Sequence, residues 1–215
     1  MNNNIVKFSF VLMLTAGVAI AGVAVVFGIS KPKIDDKKEK SQKQVMALAF
    51  NMKEEEFKQL AMESLGENAW KVSRSGEVVG YAAKGSASGY GGRVEVIAAF
   101  KPDLKTLIGA AVMDVSRETP GLGQNAKQKK PTSTWLQTIF GIREVQPEEG
   151  SPLDSYTFMG QFQNRNEAQL RLADNPADGI AAMTGATITS KAVIEAVNNA
   201  LKKLKQVSTI SGAGG

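Results

Sequence analysis

The 215-residue sequence contains no cysteine and no histidine. Without cysteine there are no disulfides, no iron–sulfur ligation and no thiol redox chemistry within this chain. Without histidine the commonest metal ligand and the usual general base are missing. Histidine-ligated haem, typical zinc sites and Ser-His-Asp triads are therefore excluded as products of this chain alone. Any redox chemistry would fall to a bound organic cofactor. Charge of one sign is also scarce: the net charge of +5 does not by itself call for a nucleic-acid partner. At 43% hydrophobic, the chain can build one domain with a real core.

The one long apolar run is at 8–29, FSFVLMLTAGVAIAGVAVVFGI, with no charge and no proline. It matches the roughly 20 residues that a helix needs to cross a bilayer. A cleaved signal peptide usually has an apolar region of about 7–15 residues followed by a small-residue cleavage site. Lys31, Pro32 and Lys33 follow instead. The run is read as a retained single-span anchor, with 1–7 as a short N-terminal tail and 30–44 as a charged, solvated linker or the start of a juxtamembrane helix. Lys31, Lys33, Lys37, Lys38, Lys40 and Lys43 follow the span, against Lys7 before it. Counted simply, this places the large domain in the cytoplasm, but the rule is weak for long translocated domains.

The remainder reads as an α+β domain over 45–207. Residues 45–65 carry helix formers, with Glu54, Glu55 and Glu56 near the start of a second helical stretch and Phe57, Leu60 and Ala61 on one apolar face. From Trp70 the pattern changes. Segments 78–83, 93–100 and 107–115 are rich in β-branched and small apolar residues. The turns Gly89-Tyr90-Gly91-Gly92 and Lys101-Pro102-Asp103 separate them, which predicts an antiparallel meander. Further strands are expected at 155–162 and 169–172, and a short helix or turn at 134–140 packing Trp135, Ile139 and Phe140. Lys127, Lys129 and Lys130 have no interleaved aromatics and read as a solvated loop. A flexible tail is expected over 208–215.

The stretch Thr184-Gly185-Ala186-Thr187-Ile188-Thr189-Ser190 sits just ahead of an apolar stripe at Ile194, Val197, Leu201 and Leu204. Its hydroxyls therefore lie at a helix N-terminus, where free N–H groups and the macrodipole favour an anion. Gly185 admits backbone angles closed to other residues, and Ala186 leaves room beside Thr187. A phosphate placed here needs no basic residue. Taken alone, such a stretch is more often a plain N-cap. The alternative reading is a membrane-anchored interaction module without cofactor, with Ser190 or Thr189 capping the helix.

Three segments occur in order: GYGG at 89–92, ETPGLG at 118–123, and TGATITS at 184–190 followed by KAV. Together with one N-terminal span they resemble the RnfG family, the FMN-binding component of the Rnf ion-translocating electron-transport complexes. The next relative is the C component of the sodium-pumping NADH:quinone reductase. The resemblance implies FMN attached covalently, through a phosphoester, to Thr187 within Thr184-Gly185-Ala186-Thr187. A separate flavin transferase would install it, using FAD and magnesium. It also implies that the loop with Glu118, Thr119, Gly121 and Leu122 lies at the flavin. It further implies a one-electron relay to iron–sulfur and flavin subunits of a membrane complex, no substrate turnover by this chain alone, and a domain outside the cytoplasm. Ala181 stands where the family usually has an aspartate, with Asp178 nearest. Ser116 and Arg117 stand where it often has a histidine. Arg117 is either a partner for the FMN phosphate or the reduced flavin or a surface arginine at a strand end, and Lys191 reads as a solvated lysine within reach of a phosphate.

Overall fold

In the computed structural model the described residues are 3–130 and 151–212. The chain divides into two units, Met1–Gln42 and Lys43–Gly215. Helix α1 spans Asn3–Ala49. Within it, Lys7–Lys31 has a mean hydropathy of 2.6 and is long and apolar enough to cross a membrane. None of that stretch is buried against protein, so its apolar side chains have no protein core to enter. The backbone at 30–44, read as a solvated linker or the start of a juxtamembrane helix, is helical throughout as part of α1.

The second unit is built on a six-stranded antiparallel meander in the order β1 to β6. The strands are β1 (Ala61–Gly66), β2 (Ala69–Arg74), β3 (Glu77–Ser88), β4 (Arg93–Phe100), β5 (Thr106–Asp114) and β6 (Arg165–Asn166). β4 and β5 match two of the apolar segments expected to be strands to within a residue, and β3 contains the third, 78–83, and runs on to Ser88. β4 shows why the pattern is continuous rather than alternating. Val96, Ala98 and Phe100 face one core, while Ile97 and Ala99 face another. A strand buried on both faces reads as an unbroken apolar run.

The first core is closed by the last helix, α3 (Thr187–Gly212). Its buried stripe of Val193, Val197, Leu201 and Leu204 packs with Val96, Ala98 and Leu107. The second core is closed by Met46, Ala47 and Phe50 with Phe57 and Leu60, against Val72, Ile97 and Ala111. The ring centroids of Phe50 and Phe57 lie 5.7 Å apart. Gly85 brings β3 against α3: a Cβ there would run into the Ala196 carbonyl and come within 2.8 Å of the Ala200 nitrogen.

Several expectations from the sequence fail here. Of the two helical stretches expected over 45–65, the first ends at Ala49 and the second is only the short α2 (Glu54–Phe57). Asn51, at φ 57°, turns the chain out of the helix. Its side chain then serves as a bracket, accepting the Leu153 N–H at 2.9 Å and donating to Gln163 Oε1 at 3.0 Å. β1 forms despite its helix formers because β2 supplies a full antiparallel partner, from Ala61↔Ser73 to Gly66↔Ala69. Pairing outweighs a propensity difference of a few tenths of a kcal/mol per residue.

The strand expected at 155–162 is replaced by two 3-10 turns, Pro152–Ser155 and Met159–Phe162. Ser151 and Asp154 form a capping box on the first, with Pro152 at its start. The second buries Met159 and Phe162, and Phe158 meets Phe162 edge-on at 5.5 Å. The strand expected at 169–172 is also absent. Glu167–Gln169 is a 3-10 turn, and Leu172 makes a lone bridge to Ile180. The tail expected from 208 is helical as far as Gly212. The helix or turn expected at 134–140 lies outside the described residues.

Where β5 ends, Asp114 Oδ1 accepts the Ser116 N–H at 2.8 Å and so starts the loop that leads to Glu118. The hydrogen bonds from Ser116, with the Lys127 and Arg117 charges nearby, hold the Asp114 carboxyl below the usual aspartate range. A carboxylate with a lowered native pKa contributes stability that is complete above the unfolded value of about 3.9 and is lost as pH falls through the lower native value. Asp114→Asn should therefore reduce thermal stability at neutral pH. Its deficit against the parent chain should shrink as the pH is taken below about 4, measured by unfolding scans across pH.

Candidate functional site

The turn between β3 and β4 is short and glycine-rich. The Gly89 N–H donates to the Gly92 carbonyl at 2.7 Å, which leaves Tyr90 projecting at the tip. Its close approach to the next segment requires glycine at 91, where a Cβ would run into the Arg117 carbonyl. The following loop, 118–123, returns across this turn. Gly121 takes φ +74°, and its carbonyl accepts from Asn125 Nδ2 at 2.6 Å. Gly185, at φ +73°, bends the chain into α3, and its α-carbon lies so near Leu122 that a Cβ would sit 3.0 Å from Leu122 Cδ2.

α3 begins at Thr187 itself. Its first intrahelical bond runs from the Ser190 N–H to the Ala186 carbonyl at 2.9 Å. The N–H groups of Thr187, Ile188 and Thr189 precede that bond and belong to the orphan donors of a helix start. Neither Ser190 nor Thr189 serves as the N-cap. Ser190 is buried, accepts the Met183 N–H and donates to the Ala186 carbonyl, each at 2.9 Å. Thr189 is buried and donates to Glu118 Oε2 at 2.6 Å. Thr187, by contrast, is exposed.

These three segments enclose a cleft of about 530 Å³, lined by Tyr90, Glu118, Thr119, Leu122, Gly123 and 185–189. Of the expected site residues, the structure brings together Glu118, Thr119, Leu122, Gly185, Ala186 and Thr187. Thr184 and Gly121 are exposed in the adjoining turns and shape the backbone without lining the cleft. Arg117 lies flat against Gly92, where a Cβ would meet its Cβ and Cδ at 2.9 Å. Lys191 lines a different hollow, beside Ile194 and Asn198. Neither faces the cleft.

The basic cluster is partly engaged elsewhere. Lys127 Nζ donates to the Met113 carbonyl at 2.5 Å, and Lys129 lies 5.7 Å from the Tyr156 ring centroid. Burial pushes the Lys127 ammonium below its usual pKa, and Asp114 partly opposes the shift.

Two cleft residues are not evident from composition or spacing: Tyr90 and Ile188. Outside the apolar helix, the exposed large hydrophobic residues among those described are Met62, Tyr90, Leu122 and Ile188. Tyr90 is 72% exposed, Leu122 42% and Ile188 54%, and all three flank this cleft. Such a concentration of exposed apolar side chains marks a binding surface. Ile188 carries a faint sequence signal: it shares a helical face with Lys191 and Glu195, both exposed, rather than with the buried stripe. A flat, amphipathic ring system suits the apolar walls, and a phosphate suits the helix start beside Thr187. The residues present therefore fit FMN. Glu118, Thr119, Leu122 and Tyr90 would border the ring, and the first turn of α3 would receive the phosphate.

The chain is 28% identical over 213 residues to the G component of the proton-translocating ferredoxin:NAD(+) oxidoreductase complex of Clostridium ljungdahlii, covering 98% of this chain and 95% of that one. It is 34% identical over 135 residues to the G component of the Na(+)-translocating ferredoxin:NAD(+) oxidoreductase complex of Acetobacterium woodii, covering 62% of this chain and 53% of that one. The solved structure of Shewanella oneidensis NqrC superposes with a TM-score of 0.44 at 15% identity, over 71% of this chain and 70% of its own. The FMN-binding domain family matches residues 89–202, from the Tyr90 turn through most of α3. The cleft lies wholly within that span, and the chain belongs to the FMN-binding domain family.

Proposed function

We propose that this chain is an electron-transfer subunit of a membrane-bound, ion-translocating oxidoreductase of the Rnf type. It relays electrons through FMN joined by a phosphoester to Thr187 Oγ1. The observation that carries this reading is the position of Thr187. It is an exposed hydroxyl on the first residue of α3, with Ala186 beside it and an apolar-walled cleft in front. The names of the relatives support the assignment to an oxidoreductase complex. FMN accepts and gives up one or two electrons, which suits a chain of mixed carriers. The protein's part is to tether the group, orient it and exclude alternatives.

Attachment needs a transferase with FAD as donor. The Thr187 oxygen forms its bond to the FMN phosphorus as the pyrophosphate P–O bond of FAD breaks, and AMP leaves with the hydroxyl proton. The orphan N–H groups of Thr187, Ile188 and Thr189 would hold the phosphodiester charge. The apolar stretch Lys7–Lys31 anchors the chain in the membrane, and the FMN domain works on the extracytoplasmic side with iron–sulfur and flavin subunits as partners. Protease accessibility in intact spheroplasts tests the side: cleavage of the domain from outside is expected, and protection would contradict it.

Denaturing electrophoresis of membranes from the native host tests the attachment, with flavin fluorescence expected to migrate with this chain. A dark band at its mass would contradict the reading. Purification under mild detergent should recover iron–sulfur subunits, and a quinone-reactive assembly in their place would move the chain to the quinone reductase.

A further inference from the structure

Glu118 is a buried carboxylate, 3% exposed, in a loop whose next four residues, 119–122, are exposed. Its two oxygens have different partners. Oε1 accepts the Gly91 N–H at 3.0 Å, across 27 residues of sequence. Oε2 accepts the Thr189 hydroxyl at 2.6 Å, across 71. The space around the group is closed by backbone. A Cβ on Gly89 would run into Oε1, and a Cβ on Gly123 would lie 2.7 Å from Oε2 and 2.8 Å from Thr189 Oγ1. Glycines at 89, 91 and 123 are thus what allow three segments to close on one carboxylate.

The same three segments carry the apolar walls of the cleft. Tyr90 adjoins Gly91, Leu122 adjoins Gly123, and Ile188 adjoins Thr189. A glycine-rich turn has the largest conformational freedom to lose, so its placement needs a specific restraint. Two hydrogen bonds converging on one side chain, from the Gly91 N–H and the Thr189 hydroxyl, supply that restraint.

We propose that Glu118 is a positioning residue. It ties the Tyr90 turn to the first turn of α3 and so sets the width and shape of the slot in which the flavin ring is held. This rests on the reading that FMN occupies the cleft. It goes further in assigning ring orientation to a carboxylate whose oxygens are engaged by protein donors, acting through Tyr90, Leu122 and Ile188.

The test uses the full-length flavinylated chain and follows visible circular dichroism and fluorescence anisotropy of the attached flavin. Glu118→Ala should keep covalent flavin, because Thr187 is intact, but lose the induced dichroism and the high anisotropy. Glu118→Gln should retain both, since the amide oxygen can accept from Gly91 and the amide nitrogen can donate to Thr189. Thr189→Val should behave like Glu118→Ala, and Thr189→Ser like the parent. This pair gives the answer if Glu118→Ala fails to fold. In the flavin-free chain, Glu118→Ala should also speed hydrogen exchange at the Gly91 amide.

Parent-like flavin spectra in both Glu118→Ala and Thr189→Val would overturn the proposal. A loss in Glu118→Gln as complete as in Glu118→Ala would also overturn it, because charge rather than the two hydrogen bonds would then be decisive. A parent chain that carries no flavin would overturn the reading of the cleft itself, and the role of Glu118 with it.

Discussion

Thr187→Val keeps its fold and loses all flavin that survives denaturation. The side chain is exposed at the first position of α3, so the substitution should cost no more than about 0.5 kcal/mol of stability. The loss of attachment should nevertheless be complete. Valine has nearly the same shape but no oxygen to bond to phosphorus. Thr184, Thr189 and Ser190 cannot take over for three separate reasons. Thr184 lies outside the cleft lining, Thr189 is buried in its bond to Glu118, and Ser190 is buried between Met183 and Ala186. Thr187→Ser should retain fluorescence in the gel, since it keeps the hydroxyl. Residual flavin on Thr187→Val would place the attachment on another residue.

The second large effect lies where β3 packs on α3. Gly85→Ala should lower stability by about 3 kcal/mol, at the upper end of the usual cost of overpacking. For a unit of this size that is a fall in Tm of roughly 6–12 °C. The added methyl would meet the Ala196 carbonyl and the Ala200 nitrogen, which are backbone atoms of α3 and cannot rotate aside. Relief requires α3 to move off β3, and Thr187 and Thr189 ride on the same helix. Flavin incorporation should therefore fall together with Tm. An unchanged Tm would show that α3 packs less closely on β3 than these contacts indicate.

Much of the site was legible in the sequence because its parts are local. Gly185, Ala186 and Thr187 announce a turn into a helix, and the stripe Ile194, Val197, Leu201 and Leu204 marks that helix and its inner face. The β-branched runs of β3, β4 and β5 were also readable, since pairing within a meander is between neighbours. What could not be read depends on partners distant in sequence. β1 carries Met62, Glu63 and Leu65, all good helix formers, and only its pairing with β2 makes it a strand. Phe158 and Phe162 look like strand residues, yet they bracket a single 3-10 turn, Met159–Phe162, that buries both against the core. The bond from Thr189 to Glu118 spans 71 residues, and neither residue type signals it. Tyr90 reads as a loop aromatic until the fold sets it beside Leu122 and Ile188.

The proposed attachment also explains a local departure from ordinary helix starts. A helix N-terminus with small neighbours would commonly be capped by a Ser, Thr, Asp or Asn side chain just before the first turn. Here Ala186 occupies that place and offers no side-chain acceptor. A phosphodiester on Thr187 would take the role of the missing cap.

The most direct test is the intact mass of the chain purified from its native host, with the flavin-transfer machinery present. The account predicts a mass above that of the polypeptide by one FMN less one water, with the addition mapped to the peptide containing Thr187. A chain that weighs only what its amino acids weigh would contradict it.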